Sequence, residues 1–145
     1  MKVGQRRITA IASGFQTKSK RSRESSKILT WGLRNFDTIQ VGAKNKVIAE
    51  LNVWLGKKNK VKAVPSEDIY LTIPKRKKKT VKATIEYTGP IEAPIKLGDK
   101  IGSLNVYISG EFIKTVDILS AEEIKKANIF SRLFKSFNYF VWGDV

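Results

Sequence analysis

The chain has 145 residues, 41% of them apolar, enough for one complete domain or one small domain with attached segments. Its 28 basic and 13 acidic residues give a formal charge of +15, which favours anionic partners: nucleic acid, a phospholipid surface or another anionic polymer. Without cysteine or histidine the chain is closed to disulfides, thiol nucleophiles, Cys- or His-ligated metals and Ser–His–Asp triads, and no cofactor is expected.

Residues 6–15 (RRITAIASGF) read as a strand. Ile8, Ala10 and Ala12 fall on one face and Thr9, Ile11 and Ser13 on the other, so both faces suit burial in the middle of a sheet. Nothing upstream supplies the neighbouring strands, which suggests a severed domain. Residues 17–35 (TKSKRSRESSKILTWGLRN) read as a helix from about Ser19. Ile28, Trp31 and Leu33 make a partial apolar stripe, while Lys20, Arg21, Arg23, Glu24 and Lys27 keep the first half wet. The KSKRSR run is a phosphate-binding patch or, more simply, a solvated helix face.

From Asp37 the texture changes to short strands separated by turn residues. Strands are expected at residues 38–41, 46–54, 60–64, 69–73, 80–87, 100–108 and 111–118, with turns at 42–45, 56–59, 65–68, 74–79, 89–94 and 109–110. Such a series makes a β-sandwich or small barrel. Ser109-Gly110 suits a tight hairpin. Lys75 to Lys79, five consecutive cations (KRKKK), reads as an exposed hairpin tip. It is solubilising in the simpler reading and an anion contact in the sharper one, though no interleaved aromatics build a stacking platform.

Residues 120–139 (SAEEIKKANIFSRLFKSFNY) close the chain with a helical pattern. Ser120 and Glu123 have capping-box spacing. Phe130, Phe134, Phe137 and Leu133 form an apolar face, continued by Trp142, with Lys126, Arg132 and Lys135 beside it. These eight residues are the candidate membrane anchor, an amphipathic helix lying on anionic lipid. The alternative is a helix docked on the chain's own core. No run approaches the roughly 18 to 20 apolar residues of a spanning helix, and residues 1–14 do not make a secretion signal.

No Ser-x-x-Lys, Lys-Thr-Gly or glycine-rich phosphate loop occurs. Glu67 and Asp68 suit a turn, and Glu122 and Glu123 suit the first turn of a helix. The residues alone indicate a binding or structural module.

Four phrases in order carry a resemblance: WGLRNFDTIQV (31–41), WLGKKNKVKAVPSEDIYLTIP (54–74), KATIEYTGPIEAPIKLGDKIGSLNV (82–106) and LSAEEIKKANIFSRLF (119–134). Together they resemble the C-terminal part of the low-molecular-weight penicillin-binding proteins, the serine D-alanyl-D-alanine carboxypeptidases of peptidoglycan maturation. The likeness implies a mainly β fold. Residues 1–36 would be a strand–helix remnant of an α/β catalytic domain and 37–119 a small antiparallel β-sandwich. Residues 120–145 would be an amphipathic helix on the outer face of the cytoplasmic membrane, if the chain is exported. That family's catalytic motifs would lie upstream of Met1, so no catalytic residue carries over and the chain is expected to be inactive by itself. Expected partners are the membrane surface, a separately encoded catalytic fragment and nearby peptidoglycan. The runner-up function is a basic nucleic-acid-binding β-barrel using residues 18–23 and 75–79.

Overall fold

The computed structural model describes residues 1–3 and 6–128. Strands β1 (Lys2–Val3) and β2 (Arg6–Arg7) form a minimal antiparallel ribbon. Helix α1 (Lys18–Asn35) follows, with Thr17 as N-cap: its side-chain oxygen accepts from the Lys20 backbone N–H at 3.2 Å. Next come β3 (Phe36–Gly42), β4 (Ala49–Trp54), β5 (Lys60–Pro65) and β6 (Ile69–Pro74). A 3-10 turn, Lys75–Thr80, leads into β7 (Val81–Glu86), β8 (Ile91–Glu92), β9 (Lys100–Ile108) and β10 (Glu111–Ser120).

The larger sheet has six strands in the order β7-β9-β10-β5-β4-β8, all antiparallel except the β4–β8 pair. β3 and β6 pair separately, Phe36 opposite Pro74 and Gly42 opposite Ile69. Alternation along the strands builds the core. In β4 Leu51 and Val53 point inward, in β5 Val61 and Ala63, in β6 Ile69, Leu71 and Ile73, and in β10 Val116 and Ile118. Because residues of β6 share one cluster with those of the larger sheet, the β3–β6 ribbon covers that sheet's inner face. A mainly β, sandwich-like domain preceded by a helix is therefore the observed fold.

The seven expected strands are all present, and Ser109 and Gly110 both take positive φ (53° and 85°) in the tight β9–β10 hairpin. Four local expectations are corrected. The strand at residues 6–15 stops at Arg7, and Ile11 is 97% exposed. A strand apolar on both faces needs a neighbour on each side, and here only Lys2–Val3 pairs with it. Second, Lys75–Thr80 is no hairpin tip: β6 pairs with β3 and β7 with β9, so the basic run crosses between sheets. Third, the stretch expected to be a turn at 89–94 contains β8, paired parallel to β4. Its register, Val53 opposite Ile91, is a long-range match that no local pattern announces.

The fourth correction concerns the close of the domain. Ser120 does not start a helix; it is the last residue of β10, and its hydroxyl bonds the backbone of Glu122 in a short turn. Residues 121–127 then cross the end of the domain as a strap. Ala121 N–H donates to Lys62 O (2.9 Å), Ile124 and Ile95 exchange two bonds (2.8 and 2.9 Å), Lys125 O accepts from Lys57 N–H (2.9 Å), and Ala127 N–H donates to Leu55 O (2.8 Å). Ile124, 1% exposed, is a core residue. An apolar side chain of this size released from water outweighs one turn of helix among the lysines.

Candidate functional site

The strand registers give the domain two poles. At one, Asn35 ends α1 and Phe36 begins β3 opposite Pro74; the Lys75–Thr80 turn and the Ser109-Gly110 hairpin lie here too, tied by a 3.0 Å contact between the Thr80 and Ser109 hydroxyls. At the other lie the β4–β5 turn, with Gly56, Lys57 and Lys58, and the strap carrying Lys125 and Lys126. β10, ten residues long, runs between the poles, roughly 30 Å of extended chain.

The α1 pole is apolar, cationic and open. Trp31 is 58% exposed and Ile28 56%, and no residue of α1 is buried. The Trp31 ring meets Phe36 edge-on, centroids 5.3 Å apart. Arg6 latches the N-terminal ribbon to the helix–strand junction, donating to Phe36 O at 2.7 Å and standing 3.8 Å from Asp37. Lys78 lies on the other side of Asp37, at 3.5 Å. Partial desolvation pushes the Asp37 carboxyl up, but Lys78, the Thr38 N–H and Arg6 outweigh it and hold the group below its ordinary range. Within the basic run only Lys78 has a carboxylate partner among the described residues.

A cleft of about 610 Å³ opens between β2, α1 and the β3–β6 ribbon, lined among others by Arg6, Phe36, Gln40 and Tyr70. It holds neither an acid–base pair nor a nucleophile with a base. Among the described residues no three potential metal ligands are grouped, and no helix is long and apolar enough to cross a membrane. Tyr107 and Phe112 pack edge-to-face, 5.9 Å between centroids, with Phe112 58% exposed. The β9–β10 hairpin thus sets an aromatic pair beside β7, where Lys82 pairs with Tyr107.

At the strap pole Gly56 is required by close approach. A Cβ there would lie 2.8 Å from Val53 Cγ1, 2.9 Å from Ile124 Cγ2 and 2.9 Å from Lys58 O. Lys58 pairs with Glu122 across the turn. The Lys58 ammonium, against some desolvation and with help from the Lys62 N–H, holds the Glu122 carboxyl below the usual range. Of the eight residues proposed as a membrane anchor, the described residues include Lys126 alone. Its backbone bridges to Gly56 and its side chain is exposed. Phe130, Arg132, Leu133, Phe134, Lys135, Phe137 and Trp142 lie outside the described residues.

Residues 36–126 match the family described as "Penicillin-binding protein 5, C-terminal domain". The chain belongs to that family. The matched segment coincides with the β-domain and its strap, Phe36 to Lys126, so the strap is part of the family's domain. Among curated proteins the chain is similar to D-alanyl-D-alanine carboxypeptidase DacA of Escherichia coli K12, 30% identical over 131 residues, 90% of this chain and 32% of the relative. It is likewise similar to DacA of Haemophilus influenzae, 33% identical over 129 residues, 88% of this chain and 33% of the relative. The chain thus spans about a third of the length of these relatives. Among solved structures it resembles penicillin-binding protein 5 from Haemophilus influenzae: TM-score 0.65, 33% identity, 76% of this chain and 32% of that one. The carboxypeptidase DacD of Francisella tularensis, 24% identical with TM-score 0.53 over 79% of this chain and 29% of that one, shares the fold. These relatives are D-alanyl-D-alanine carboxypeptidases or penicillin-binding proteins by name, and they give the nucleic-acid reading no support.

Proposed function

We propose that this chain is the stand of a D-alanyl-D-alanine carboxypeptidase: a non-catalytic β-domain holding a catalytic domain away from the membrane on which it rests. The observation that carries this reading is the placement of its two attachments. The helix α1, with its exposed Trp31 and Ile28, joins one pole, and the strap hands the chain on from the opposite pole. A domain whose two connections emerge roughly 30 Å apart along β10 works as a spacer. The proposed partner at the α1 pole is the catalytic domain, in the same chain or supplied separately. The proposed support at the strap pole is the outer face of the cytoplasmic membrane, engaged by the apolar face of Phe130, Leu133, Phe134, Phe137 and Trp142 and the cations Arg132 and Lys135. Peptidoglycan is then the polymer within reach of the far pole. The chain by itself carries no penicillin-reactive serine motif.

The test is co-sedimentation of the full chain with vesicles of phosphatidylglycerol and phosphatidylcholine. The chain should pellet with them, and the Phe130→Asp/Phe134→Asp variant should stay in the supernatant. Equal pelleting of the two would remove the anchor from this reading.

A further inference from the structure

We propose that the β-domain itself touches the bilayer, through a cationic rim of Lys57, Lys125 and Lys126 that receives the headgroup phosphates of anionic lipid. The inference rests on the membrane reading above and adds a second contact, made by the folded body.

The rim is built by backbone pairing. The Lys57 N–H donates to Lys125 O at 2.9 Å, and Lys126 bridges to Gly56. Two segments separated by almost the whole domain therefore present their lysines side by side, and Gly56 lets them approach so closely because it has no Cβ. All three side chains are exposed, and among the described residues none has a carboxylate partner. Of the acids on the strap itself, Glu122 is already paired with Lys58 and Glu123 is exposed. The rim is fixed in shape, because Ile124 between Glu123 and Lys125 is locked in the core.

What selects a lipid surface over other anions is position. Residues 129–145, rich in aromatics and cations, continue from this pole. If they lie on a bilayer, Lys57, Lys125 and Lys126 come within a Debye length of it, about 8 Å at physiological salt. There each lysine attracts anionic lipid by about 1 kcal/mol. The basic run at Lys75–Thr80 is at the opposite pole, several Debye lengths away, and contributes nothing to the same contact.

That contrast defines the experiment. Full-length chain is titrated with vesicles of phosphatidylglycerol mixed with phosphatidylcholine, and with phosphatidylcholine alone, at physiological salt. Two triple variants remove equal charge: Lys57→Gln/Lys125→Gln/Lys126→Gln at the rim, and Lys75→Gln/Arg76→Gln/Lys79→Gln at the far pole. The rim variant should bind anionic vesicles about a hundredfold more weakly, while the far-pole variant should bind like the parent. All replaced side chains are exposed, so unchanged thermal melts confirm that both variants fold. Equal weakening of both would mean attraction by net charge alone and would overturn the rim. So would a rim variant that binds like the parent, although the membrane reading would then survive. A parent chain that binds neither kind of vesicle would overturn both.

Discussion

Ile95 and Ile124 exchange two backbone hydrogen bonds, of 2.9 and 2.8 Å, and both side chains are buried, 2% and 1% exposed. This pair fastens the end of the domain to the loop between β8 and β9, and so decides where the chain departs. Removing the side chain while keeping the backbone should test its weight. Ile124→Ala is expected to cost about 2–4 kcal/mol, by lost transfer energy and the cavity left behind. Urea denaturation of the two proteins measures it.

Gly56 should tolerate nothing larger. Its missing Cβ would sit 2.8 Å from Val53 and 2.9 Å from Ile124, inside the contact distance of both. Gly56→Ala is expected to destabilise the domain by about 1–3 kcal/mol, as overpacked sites do. The same denaturation series should show the loss, and a stability equal to the parent's would contradict the close packing of turn and strap.

Acid should loosen the strap pole through Glu122. Its carboxyl titrates below the ordinary glutamate range because Lys58 bonds its charged form, with the Lys62 N–H assisting. A folded-state pKa lowered below the unfolded value, about 4.3 for glutamate, contributes stability that is fully present above that value. The contribution is lost as the pH falls through the folded value. Glu122→Gln should therefore melt below the parent at neutral pH, and the gap should close in acid. Thermal melts across that range test it; a gap that widens in acid would reverse the assignment.

Helix α1 should be far less protected than the central strands. It has no buried residue, whereas Val61, Val106 and Ile118 are fully buried in β5, β9 and β10. Local opening needs least energy where few apolar contacts are broken. Amide hydrogen exchange should be fast through Lys18–Asn35 and slow in β9 and β10. Protection of α1 equal to that of the sheet would show packing beyond what its exposed Trp31 and Ile28 provide.

Legibility in the sequence followed the range of the interactions. Strands such as β9 and β10 announce themselves because Leu104 and Val106, and Val116 and Ile118, alternate locally and a Ser-Gly turn separates the two runs. α1 is readable from the partial stripe of Ile28, Trp31 and Leu33 and from the wet first half of the helix, although the cap at Thr17 shows only in the structure. Residues 6–15 misled because their apolar content describes a buried strand, while burial depends on neighbours that local sequence does not contain. Ser120 and Glu123 misled in the opposite sense: their spacing satisfies a capping box, yet the partner that wins is Ile95, far away in sequence, which draws Ile124 into the core. The lysine rim was invisible for the same reason. Lys57 and Lys125 are neighbours only after the strap has paired with the β4–β5 turn. The one local sign was Gly56, a buried turn glycine.

The central claim, a stand with its feet at the strap pole, is tested most directly by measuring height. The chain contains no cysteine, so single labels are placed without interference. Lys60→Cys puts a donor dye at the strap end of β5, and Glu111→Cys puts one at the far end of β10; both positions are exposed. On phosphatidylglycerol-containing vesicles with an acceptor dye on the headgroups, transfer from position 60 should be strong. Transfer from position 111, roughly 30 Å higher, should be much weaker. Equal transfer from both, or stronger transfer from position 111, would contradict the account.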